Sequence, residues 1–79
     1  MTTAFLNHTS MIGIFKTNIG TPGESHSVLK AIRQHFDVGP CNVDIEDCDK
    51  VLRIVDLKVT EAQMIAFVQA QGYQCEILE

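Results

Sequence analysis

Hydrophobic and polar positions along the chain change period several times, and each change marks an element. Residues 11–18 (MIGIFKTN) read as a strand with blurred alternation: either Ile12 and Ile14 or Phe15 and Thr17 face the core. A loop follows, and Thr21, Pro22 and Glu24 form a helix-start signature. Thr stands at the N-cap, Pro at the first helical position, and Glu three residues after Thr as in a capping box. Val28, Leu29, Ile32 and Phe36 then recur at helical spacing and give one apolar stripe, which Gly39 and Pro40 bring to a stop around 37–40.

Residues 41–46 (CNVDIE) alternate cleanly, with Val43 and Ile45 inward and Asp44 and Glu46 outward. Residues 47–50 make a polar turn, and 51–56 (VLRIVD) return as a second strand of a hairpin with Leu52 and Ile54 inward. Thr60 and Gln63 form another capping box, flanked by Val59 and Met64 at the two positions of a hydrophobic staple. Met64, Ile65, Phe67 and Val68 supply that helix's apolar face, and Gly72 its stop. The last strand lies in 73–78, with Cys75 and Ile77 alternating against Gln74 and Glu76.

This succession predicts an α+β fold, β-α-β-β-α-β. The economical arrangement is an open-faced sandwich: a four-stranded antiparallel sheet in the order 4-1-3-2 with two helices on one face. Residues 11–79 form a single domain, and 1–10 read as a flexible N-terminal segment. With 79 residues the chain is near the lower size at which one core suffices. Only five residues are aromatic and none is Trp, so that core is aliphatic.

Charge narrows the classes of function. Lys16, Lys30, Arg33, Lys50, Arg53 and Lys58 are scattered and the net charge is −4, so no cationic patch is expected for nucleic acid. The acidic run Asp44, Glu46, Asp47 and Asp49 reads first as a solvated turn. No apolar run is long enough for membrane insertion, and no signal-peptide pattern opens the chain, which points to a cytoplasmic protein. Three cysteines, Cys41, Cys48 and Cys75, are an odd number without a C-x-x-C pair. Such thiols are expected to be free, as small buried hydrophobes in a reducing compartment.

At this point the chain resembles the heavy-metal-associated domain family, the ferredoxin-like fold of copper chaperones and of the N-terminal modules of metal-transporting P-type ATPases. The resemblance covers roughly 11–79. The stretch Asn18-Ile19-Gly20-Thr21-Pro22-Gly23-Glu24 occupies the family's metal loop, Val28 and Ile32 match its first helix, Val43-Asp44 its hairpin, and Gln71-Gly72-Tyr73 its second helix exit. On that register the two family cysteines fall on Thr21 and Glu24, and the family methionine on Ile19. The resemblance thus implies the fold while the metal-binding motif is lost. Two thiolates suit Cu(I) or Zn(II), whereas a hydroxyl and a carboxylate are hard donors. Because C-x-x-C and T-x-x-E share a spacing, a helix cap stands where the metal clamp would be, contributing about 1 kcal/mol.

Other candidate ligands are few. His26, Cys48 and Cys75 fall at the loop end of the sheet in this topology, and together they are the alternative set for copper or zinc. Cys41 belongs at the opposite end. His8 lies in the N-terminal segment and His35 near a helix C-terminus, where an imidazole is commonplace. Ser25 and Ser27 lack a base, so no enzyme is expected. Three functions remain: a small protein-interaction module without cofactor, acting through an edge strand (the fourth above all) or the open sheet face, whether on a protein partner or by self-association; metal binding or trafficking through unconventional ligands; and small-ligand sensing of the ACT-domain kind, suggested by Thr21-Pro22-Gly23 ahead of an apolar helix.

Overall fold

A computed structural model describes residues 11–78. Its elements run β1 (Ile12–Thr17), α1 (Pro22–His35), β2 (Cys41–Asp44), β3 (Val51–Val55), α2 (Glu61–Ala70) and β4 (Cys75–Ile77). The segment 1–10, expected to be flexible, and His8 within it lie outside the described residues. The fold is α+β, with one four-stranded sheet ordered β2-β3-β1-β4 from edge to edge; counted from the β4 edge, this is 4-1-3-2. Every pairing is antiparallel.

The blurred first strand resolves in favour of Phe15 and Thr17. Phe15 is fully buried opposite Leu52, and Thr17 is buried opposite Cys75, whereas Ile12 is 53% exposed. Gly13 shares the inner face with Phe15, and a Cβ there would stand 2.7 Å from Phe15 Cε2 and 2.9 Å from Leu57 Cδ2. A glycine is therefore what allows the Phe15 ring to lie over this part of the strand. Val28, Leu29 and Ile32 of α1 and Met64 and Val68 of α2 join Phe15, Leu52, Ile54, Cys41 and Cys75 in one cluster. Both helices thus cover the same face of the sheet.

The two helix starts differ in detail. At α2 the reciprocal box is complete: Gln63 N–H donates to Thr60 Oγ1 (3.1 Å) and Thr60 N–H to Gln63 Oε1 (2.9 Å). At α1 the Glu24 N–H donates to Thr21 Oγ1 (3.1 Å), but the Glu24 carboxylate accepts from Gly20 N–H (3.1 Å) rather than from Thr21. The N-cap φ is −129° at Thr21 and −69° at Thr60, a rotation that swings the cap's own N–H away from the helix.

Element ends also depart from expectation. The first helix stops at His35 because Phe36 turns to extended backbone (φ −124°, ψ 151°) and sets its ring edge-on to Phe67, with centroids 5.0 Å apart. Strand β2 ends at Asp44, whose carboxylate accepts from Glu46 N–H (3.2 Å) and begins the turn early. Ile45 therefore lies half-buried in the turn instead of facing the core. Strand β4 is only Cys75–Ile77. Ile77 pairs with Phe15, yet at the sheet's edge it remains 44% exposed. Gly72 ends the second helix at φ 100°, a left-handed conformation suited to glycine.

Candidate functional site

Thr17 organises the loop end. Its hydroxyl donates to the Lys50 carbonyl (2.6 Å) and accepts from Ile19 N–H (3.1 Å), while its N–H donates to the Asp49 carbonyl (3.0 Å). One buried residue thereby ties the first loop to the hairpin turn. Asn18 Oδ1 accepts from Gln74 N–H (2.8 Å) and adds the approach to β4. The first loop, the hairpin turn and the start of β4 stand at one end of the sheet.

Within that end Ile19 is completely buried and belongs to the core. Thr21 and Glu24 spend their oxygens on backbone N–H groups. These hard, already engaged donors do not fit the soft cation that the resemblance implies. Of the alternative ligands, His26 and Cys48 are exposed and Cys75 is buried. Burial, with a smaller contribution from the Glu76 carboxylate, pushes the Cys75 thiol up to about 11. It is a core side chain, 4% exposed, whose burial disfavours the thiolate.

Among the described residues, the His, Cys, Asp and Glu side chains whose ligand atoms gather within 4.8 Å in a group of three are Asp47, Cys48 and Asp49; His26 and Cys75 stand outside it. That group has its own structural explanation. Asp47 Oδ1 accepts from Asp49 N–H (2.8 Å), and Asp49 Oδ1 lies 3.9 Å from Lys16 Nζ. Cys41 lies at the opposite end, where it pairs with Ile54. His35 stacks on Phe67 (centroids 4.8 Å, 22°) and meets Phe36 edge-on at 4.7 Å, so it closes an aromatic contact between the helices. Among the described hydrogen bonds, neither Ser25 nor Ser27 has a basic partner for its hydroxyl. A depression of about 430 Å³ bordered by Met11, Leu57, Val59 and Thr60 has two exposed or half-exposed charges, Lys58 and Glu61, at its rim.

The sheet edges are a finding that spacing does not reveal. The Val55 N–H donates to the Pro40 carbonyl (2.9 Å) and the Leu78 N–H to the Ile14 carbonyl (3.2 Å). In antiparallel ladders bonded and non-bonded pairs alternate, so the carbonyls of Cys41 and Cys75 point outward from their strands. Each is met by its preceding helix: Arg33 Nη2 donates to the Cys41 carbonyl and Gln69 Nε2 to the Cys75 carbonyl, both at 3.3 Å. Side-chain donors at an edge, on strands of only four and three residues, blunt it against strand addition. The expectation that the fourth strand is the pairing edge loses ground on these grounds.

The outer face of the sheet is the contrasting surface. Ile12 pairs with Val55, Ile14 with Arg53, Arg53 with Asn42, and Lys16 with Glu76. No described element lies over this face. Its apolar end is Ile12, Val55 and Ile14, and its other end carries Lys16, Glu76 and Asp44 together with Val51, which is buried. The alternation of Leu52 and Ile54 places Arg53 on this face from sequence alone; its central position follows only from the register.

No family model matches the chain, no curated protein matches it, and no solved structure matches it. Among the described residues, no helix is long and apolar enough to cross a membrane.

Proposed function

We propose that the chain is a non-catalytic protein-interaction module of the ferredoxin-like βαββαβ architecture, of the heavy-metal-associated type, in which a helix cap stands in place of the metal clamp. It works through the open face of the sheet rather than through an edge strand, in a reducing cytoplasmic compartment. The observation that carries this reading is Ile12, 53% exposed beside the half-buried Val55 and Ile14, on a face opposite the helices. Apolar side chains grouped on an exposed face are what a partner protein can desolvate. The internally engaged oxygens of Thr21 and Glu24 support the metal-free part of the reading. The free thiols of Cys41, Cys48 and Cys75 support the compartment.

Immobilised reduced protein, compared with an Ile12→Lys variant and with a Lys30→Glu control on the helical side, tests it. A protein recovered stoichiometrically by the parent and the control but lost with Ile12→Lys is the expected result. Equal recovery by all three, or no stoichiometric recovery by any, overturns the proposal.

A further inference from the structure

We infer that the open face takes a protein segment presenting a carboxylate beside apolar side chains, with the Arg53 guanidinium as its anchor. The inference rests on the open-face reading above and adds the chemistry of the partner.

Arg53 stands exposed in the second strand from one edge, between Asn42 on one neighbour and Ile14 on the other. The face carries acids that could have neutralised it, yet the geometry gives them other positions. Asp44 turns its carboxylate back to Glu46 N–H (3.2 Å). Glu76 pairs across the ladder with Lys16. Among the described residues the salt bridges are Lys16–Asp49 and Lys58–Asp37, and Arg33 is occupied by the Cys41 carbonyl. Arg53 thus offers a planar fork of donors with no described acceptor, next to the apolar side chains of Ile12, Ile14 and Val55. A guanidinium binds a carboxylate through two parallel N–H···O bonds, and this gives direction as well as strength. Arginine beside apolar contacts is also a common energetic centre of protein interfaces. A second copy is a poorer occupant: the chain's net charge is −4, and a two-fold axis across the strands at the Arg53 level sets Arg53 against Arg53.

The test uses isotope-labelled, reduced, full-length protein and two blocked peptides of equal length, one alternating Val with Asp and the other Val with Lys. The Val–Asp peptide is expected to move the amides of Ile12, Ile14, Arg53 and Val55 saturably in the millimolar range. Arg53→Gln should weaken it by about tenfold, and Arg53→Lys by less, as loss of one charge-assisted, two-pronged contact implies. The Val–Lys peptide should bind at least as weakly as that variant. The Arg53 substitutions are exposed, and an unchanged amide spectrum away from the face verifies the fold. Equal binding of both peptides, or full binding by Arg53→Gln, overturns the carboxylate anchor while leaving the open-face reading intact. An Ile12→Lys variant that still binds as the parent does sinks the face itself. Shifts that grow with protein concentration in the absence of peptide assign the face to a second copy and reject the proposal, as does the lack of any saturable shift.

Discussion

The two faces of the sheet are built from the same strands and both carry aliphatic side chains, yet they obey different rules. On the inner face the central positions are dictated by their neighbours: Phe15 fills the space that Gly13 leaves, Leu52 and Ile54 are wholly buried, and even the buried hydroxyl of Thr17 has both a donor and an acceptor role. On the outer face the exposed Ile12 and the half-buried Ile14 and Val55 stand next to Arg53 and Lys16 with neither helix above them. Being apolar is therefore a poor guide to which side of β1 is the core. The small residue and the satisfied polar residue mark it better.

The sharpest way to break that contrast is to cut the inner face. Leu52→Ala should cost about 3 kcal/mol, the sum of lost transfer energy and the cavity left between Phe15 and the helices, read from denaturant unfolding. A cost under about 1 kcal/mol means the inner face is not the packed one.

A second effect comes from the thiol that β4 sends to the same side. In the folded chain Cys75 is held well above its ordinary value of 9.0, near 11. Between those values the unfolded chain has lost the proton while the folded chain still binds it, so stability declines as pH rises through this window. Below pH 9 the contribution is fully present. Cys75→Ala should remove this part of the alkaline slope, measured as denaturation midpoints from neutral pH upward. An unchanged slope places the thiol in solvent.

The smallest effect is expected from the outer face. Ile12→Thr should alter monomer stability by no more than about 0.5 kcal/mol. A loss of more than about 1.5 kcal/mol in the same denaturation series shows that something covers Ile12 and erases the difference between the faces.

Much of this was legible in advance because the signals are local. Both T-x-x-[EQ] starts cap helices, the 3.6-residue stripe identifies Val28, Leu29 and Ile32, and strict alternation puts Leu52 and Ile54 inside. Register was harder to read. Ile45 and Ile77 alternate correctly but leave the core, because a turn begun by the Asp44 side chain shortens β2 and the edge position leaves Ile77 without cover. Topology places the first loop, the hairpin turn and the start of β4 at one end of the sheet, but spacing could not show that His26 and Cys75 stay apart from Cys48, or that the Glu24 carboxylate answers to Gly20 N–H rather than to Thr21 N–H. The inward position of Cys75 is legible from the strand's alternation; the burial that raises its thiol pKa is read from the packing. The edge contacts of Arg33 and Gln69 had no sequence signal, since each joins a flexible side chain to a carbonyl whose outward direction depends on the ladder phase.

Those two contacts also bear on the order in which the molecule assembles. Arg33 and Cys41 are separated by 8 residues, and Gln69 and Cys75 by 6, so each closes a short loop at small entropic cost. The central pairing of β1 with β3 must bring Ile12 to Val55 across α1 and β2, a far more distant closure. Each outer strand is therefore tethered by its own helix, while the pairings that β1 makes with β3 and β4 carry the larger loop-closure cost.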